Sequence, residues 1–134
     1  MMLRVLRETL ERHPGWTVCG DASNGLEAVS QTAELVPDLV ILDLTMPELN
    51  GIQAGRTIHT AAPNIPLLLF TQHLFEGQVE EQARKNGFSG GVQKGEHGSL
   101  VAGIEALLRG ETFFPSASNL RNQTRDDQPP DAVE

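Results

Sequence analysis

Three polar residues in this 134-residue sequence each close an apolar run. Asp43 ends Asp38-Leu-Val-Ile-Leu-Asp43, Thr71 ends Pro66-Leu-Leu-Leu-Phe-Thr71, and Lys94 ends Gly91-Val-Gln-Lys94. A carboxylate, a hydroxyl and an ammonium brought together suit a phosphoryl group. The carboxylate can be the nucleophile. The ammonium neutralises phosphate oxygens as a point charge, and the hydroxyl hydrogen-bonds one of them. Taken singly, each residue has an ordinary explanation: a capping Asp, a Thr without a role, a solvated Lys. The repetition at the end of three apolar runs gives the set its chemical meaning.

The elements that must position these residues follow from periodicity. Leu3, Leu6 and Leu10 repeat at helical spacing, so residues 2–13 predict a helix, stopped by Pro14-Gly15. Trp16 to Gly20 reads as a short strand, which makes Cys19 a small core hydrophobe. Asn24 with Glu27 three residues later is an N-cap signature. The face Leu26, Val29, Ala33 and Val36 then runs to Pro37. The runs ending in Asp43 and Thr71 show no alternation, as expected for strands buried on both faces. Leu44 to Gly51 is a loop, followed by a helix to about Ala62 with only Ile52 and Ile58 as its apolar face. Phe75, Val79 and Ala83 predict a helix ending near Gly87. Gly91 to Lys94 is a strand weakened by its glycines. Leu100, Ile104, Leu107 and Leu108 give the last helix, with Gly110 as its C′ residue. Strands alternating with helices imply βαβ units and an α/β fold around a parallel sheet. Right-handed crossovers put helices on both faces, and ligands sit at the carboxyl ends of the strands. Asp43, Thr71 and Lys94 are therefore expected to converge.

Bulk properties narrow the function classes. The net charge of −8 argues against direct DNA binding, since phosphates need a basic face. The single Cys19 excludes an internal disulfide framework and fits a reducing, cytoplasmic setting. There is no apolar run near the length of a membrane span, and MMLRVLRETLERH has no uninterrupted apolar stretch, so a secretory signal is not expected. His13, His59, His73 and His97 lack a paired metal spacing and read as surface residues; His73, two after Thr71, could line a pocket mouth. No Gly-rich phosphate loop follows a strand, which disfavours a nucleotide-binding enzyme. Residues 115–134 are rich in Ser, Asn, Gln, Asp and Pro and read as a flexible polar tail. Without the tail the charge is about −6, still acidic.

The segment Leu39-Val-Ile-Leu-Asp43-Leu-Thr-Met46-Pro47-Glu-Leu-Asn-Gly51 resembles the phosphoacceptor segment of bacterial two-component response-regulator receiver domains. Leu67 to Thr71 resembles their switch strand, and Gly91 to Lys94 their lysine strand. His13 to Ala28 is similar to the NarL/LuxR-type subfamily, as is Arg109-Gly-Glu-Thr-Phe-Phe114 at the end of the last helix. The resemblance implies a flavodoxin-like doubly wound sheet of order 2-1-3-4-5. It implies phosphoryl transfer to Asp43 from a histidine kinase or a small phosphodonor, without enzymatic turnover of another substrate. Thr71 would contact the phosphoryl group and Lys94 would pair with it. Mg²⁺ would be bound by Asp43 and the main-chain carbonyl of Thr45. The helices flanking the lysine strand would offer a surface to a protein partner or to a second copy.

Three departures from the family pattern accompany the resemblance. The family's first strand and its acidic pair find no counterpart, so residues 1–114 read as an N-terminally incomplete receiver. Mg²⁺, which wants several oxygen ligands, should then bind weakly or not at all. Burial lost with such a strand would be roughly 8–15 kcal/mol, as large as a domain's net stability. Gly91 stands where the family carries a switch aromatic, and the polar tail stands where the family's helix-turn-helix output domain would be expected. The rival reading is a degenerate pseudo-receiver, an interaction module independent of phosphorylation.

Overall fold

The apolar runs that end in Asp43, Thr71 and Lys94 form the strands of a parallel sheet in a computed structural model that describes residues 10–44, 50–95 and 97–115. In chain order the elements are α1 (Gly25–Leu35), β1 (Val40–Leu42), α2 (Gly51–Ala61), β2 (Leu67–Thr71), α3 (Val79–Lys85), β3 (Gly90–Gln93) and α4 (His97–Leu108). The described sheet has the order β1-β2-β3, all parallel. That is the arrangement of the last three strands in the expected 2-1-3-4-5 order. The expectation of an absent first strand concerns residues ahead of Leu10 and lies outside the described residues, as does most of the expected helix 2–13. Residues 116–134 also lie outside them.

Side chains alternate across the sheet with the strand period of two. Val40, Leu42, Leu67 and Leu69 pack on one face against Ala28 of α1, Ala54 and Ile58 of α2, and Ala83 of α3. Ile41, Leu68, Phe70 and Val92 pack on the other against Leu10 and against Leu100, Ile104 and Leu107 of α4. Both faces are covered, which explains why the runs lack polar alternation. Each fully buried Leu contributes about 1.5–3 kcal/mol of transfer free energy.

Helix ends are set by local chemistry. Asn24 caps α1 by accepting from the Glu27 N–H, and the Glu27 carboxylate accepts from the Ser23 N–H. Asn50 and Gln53 form a reciprocal capping box on α2, which supports a helix whose apolar face is thin. At the end of α4, the Glu111 N–H donates to the Ala106 carbonyl and the Gly110 N–H to that of Leu107. Gly110 has φ +84°, so the end is a Schellman motif with Gly110 at C′, as the sequence predicts.

Three expectations are corrected. Trp16 to Gly20 is not a strand. A strand needs a ladder partner, and a cleft of about 450 Å³ lined by Trp16, Val18, Leu39, Ile41 and Ile104 separates this segment from β1. The Val18 N–H donates instead to the Glu11 carboxylate. Cys19 on that segment is exposed rather than a core residue. The helix expected from Phe75 begins only at Val79, because Gly77 takes φ +50° and residues 73–79 form successive turns; Phe75 is 62% exposed.

Candidate functional site

Parallel pairing brings the carboxyl ends of all three strands to one edge of the sheet. Leu42 is in register with Leu69, and Asp43 follows it. Thr71 is in register with Gln93, and Lys94 follows that. The Lys94 N–H donates to the Thr71 carbonyl at 2.9 Å, tying the two strand ends together. The side chains of Lys94 and Asp43 meet directly: Lys94 Nζ donates to Asp43 Oδ2 at 2.5 Å, with 23% and 24% of each side chain exposed. The ammonium also lies 5.8 Å from the centre of the Phe70 ring, which gives it an apolar, π-rich neighbour. Thr71 is fully buried, and its Oγ accepts from the His73 N–H at 3.2 Å. His73 itself pairs through Nδ1 with Glu76 at 2.9 Å.

Gly51 has a steric role in the same place. A Cβ at this position would lie 1.9 Å from the carbonyl oxygen of Asp43. The Gly51 N–H also donates to the Leu44 carbonyl at 3.0 Å. The first turn of α2 therefore rests on the backbone that carries the carboxylate. This explains why a glycine ends the Asp-x-x-Met-Pro-x-x-x-Gly stretch. Thr45, expected to supply a carbonyl to a metal, lies outside the described residues.

Gly91 leaves a space that other residues fill. A Cβ there would come within 2.9 Å of Leu74 Cδ1 and 3.4 Å of the Phe114 ring. The chain after α4 turns back beside β3, where the Gly91 N–H donates to the Phe113 carbonyl at 2.9 Å. Phe114 is thereby buried, with the Arg84 guanidinium 4.1 Å from its ring centre. Gln93 was not singled out by sequence, yet its carboxamide bonds two backbone groups of the loop after β2. Phe114 and Leu74 were missed as packing partners of Gly91 for the same reason: nothing in local spacing announces a contact made across the fold.

Among the described residues, no group of three or more His, Cys, Asp or Glu could hold a metal ion. Magnesium demands near-octahedral oxygen coordination, so the described side chains do not by themselves make a magnesium site. What the arrangement can do is present a carboxylate nucleophile beside a cation and a hydroxyl.

A model of the response regulator receiver domain matches residues 1–105. A protein-glutamate methylesterase/protein-glutamine glutaminase from Methanosarcina mazei is 35% identical over 108 residues, which is 80% of this chain and 30% of that protein. The chain thus spans less than a third of that relative's length. A LuxR-family two-component response regulator from Aurantimonas sp. SI85-9A1 superposes with a TM-score of 0.79 at 35% identity, covering 86% of this chain and 83% of the other. The response regulator domain of Thermotoga maritima CheB gives a TM-score of 0.69 at 28% identity, covering 79% and 84%. The likeness extends to both LuxR-type and CheB-type receivers, which is broader than the NarL/LuxR-type affinity expected from sequence. Among the described residues, no helix is long and apolar enough to cross a membrane.

Proposed function

The chain belongs to the response regulator receiver domain family, and on that premise we propose that it is a phosphorylation-dependent switch whose phosphoacceptor is Asp43. The observation that carries this reading is the contact of Lys94 Nζ with Asp43 Oδ2 beside the buried Thr71. A carboxylate oxygen of Asp43 attacks the phosphorus of a phosphohistidine on a histidine kinase, or of a small phosphodonor. An O–P bond forms, the P–N or P–O bond to the donor breaks, and the leaving group keeps the electron pair. Lys94 moves from the carboxylate to a phosphoryl oxygen and balances part of the added negative charge. Thr71 Oγ already accepts from the His73 N–H, so its own proton is free to be donated to a second phosphoryl oxygen. Attack of water on the phosphorus restores the carboxylate and releases inorganic phosphate.

The reading assigns no turnover beyond this transfer and hydrolysis. Its partners are a histidine kinase and, across the face of α3 and α4, a second protein or a second copy. Direct contact with DNA and association with a membrane are not part of it, and its setting is the cytoplasm. The NarL/LuxR-type affinity rests on the motif stretches around Gly25 and Arg109. Mg²⁺ binding through Asp43 and the Thr45 carbonyl belongs to the same reading; these two ligands alone would hold the ion weakly.

The test is incubation with phosphoramidate or acetyl phosphate in excess Mg²⁺, followed by intact-mass measurement. The wild-type chain gains the mass of one phosphoryl group, and Asp43→Asn gains none. Equal gain in both, or no gain in the wild type from either donor, would sink the proposal and leave the phosphorylation-independent interaction module.

A further inference from the structure

We propose that Gln93 is a positioning residue for phosphoryl transfer at Asp43; the proposal rests on the reading of Asp43 as phosphoacceptor. Gln93 ends β3, faces Thr71 in register and immediately precedes Lys94. Its Nε2 donates to the Gln72 carbonyl at 2.6 Å, and its Oε1 accepts from the Leu74 N–H at 3.1 Å. One partner needs a donor and the other an acceptor, so a single orientation of the carboxamide satisfies both. The amide therefore clamps residues 72–74 from the β3 side.

The clamped turn is the one that touches the site. Its middle residue supplies the N–H that Thr71 Oγ accepts at 3.2 Å. Its last residue, Leu74, is buried and packs over Gly91 together with Phe114. In this chain no ring at position 91 can couple Thr71 to the surface. The carboxamide of Gln93 and the side chain of Leu74 make the connection instead. Without the clamp, the Leu74 N–H and the Gln72 carbonyl turn to water. The His73 N–H then no longer holds the Thr71 hydroxyl in one orientation. Transfer slows because a hydrogen bond needed by the incoming phosphoryl group is made only part of the time.

Two variants and two readouts decide it. Gln93→Leu keeps the size and removes both hydrogen bonds. Its labelling rate with phosphoramidate should fall about three- to tenfold, the range for one lost hydrogen bond, and its Leu74 amide should exchange faster with deuterium. Gln93→Glu accepts from the Leu74 N–H when ionised but cannot donate to the Gln72 carbonyl. When protonated it can do both. Its rate relative to wild type should therefore recover as pH is lowered toward about 4, through the ordinary glutamate pKa of about 4.3. Far-UV circular dichroism at each pH keeps folding apart from positioning: recovery of the rate at an unchanged folded fraction reports the clamp, and the Gln93→Glu series decides the matter even where Gln93→Leu fails to fold. If the wild type is labelled on Asp43 while both variants label at its rate at every pH, with unchanged Leu74 exchange, the clamp is refuted and the phosphoacceptor reading stands. If the wild type takes no label on Asp43, both fall together.

Discussion

Lys94 has two neighbours that ask different things of it. Its ammonium donates to the Asp43 carboxylate at 2.5 Å, and the Phe70 ring gives it an apolar neighbour at 5.8 Å. The same economy of space governs Gly51, whose missing Cβ lets α2 rest on the Asp43 carbonyl. Gly51→Ala should destabilise the fold by about 1–3 kcal/mol, the range for overpacking a close contact, and should slow labelling of Asp43 by displacing its backbone. Urea denaturation checks the first effect; an unchanged midpoint would show that α2 does not lean on this carbonyl. Asp43, Thr71 and Lys94 were legible in the sequence because each interrupts an apolar run, a local signal. Gln93 was not, because its partners lie 19 and 21 residues away and a glutamine after a valine carries no pattern. Gly91 was legible as an omission, but its replacement by Leu74 and Phe114 depends on a chain reversal after α4 that no spacing reveals.

Among the elements, α1 ends with a visible flaw. Val36 takes φ +45° and ψ +63°, a left-handed conformation that β-branched residues rarely adopt, and its N–H still caps the helix on the Thr32 carbonyl. Pro37 follows, so the helix must turn here. Val36 is 68% exposed, so little packing is lost on replacing it. Val36→Asn should stabilise the protein by about 1 kcal/mol, the scale of the left-handed penalty; a lower thermal midpoint would contradict this geometry. The buried strands and α4 were readable because hydrophobic runs and a C′ glycine are local. Trp16 to Gly20 failed as a strand because pairing is a property of two segments, and the cleft leaves this one without a ladder. The start of α3 was misplaced because the spacing of Phe75, Val79 and Ala83 fits a helix while Gly77 breaks it.

For the whole molecule, two apolar layers clamp one parallel sheet, and the polar strand ends share a single edge. The net charge of −8 surrounds a site where Lys94 pairs with Asp43. A net negative charge opposes approach to a duplex, whose phosphates are also negative. The full chain should therefore not retard duplex DNA in a gel-shift assay at physiological salt, and retardation that weakens with added salt would contradict that. The most direct test of the account is to locate the phosphoryl group. After treatment with phosphoramidate and Mg²⁺, borohydride reduces an aspartyl phosphate to homoserine, and peptide mapping finds the converted position. The account predicts conversion at Asp43 alone. Conversion at another carboxylate, or none at Asp43, would contradict it.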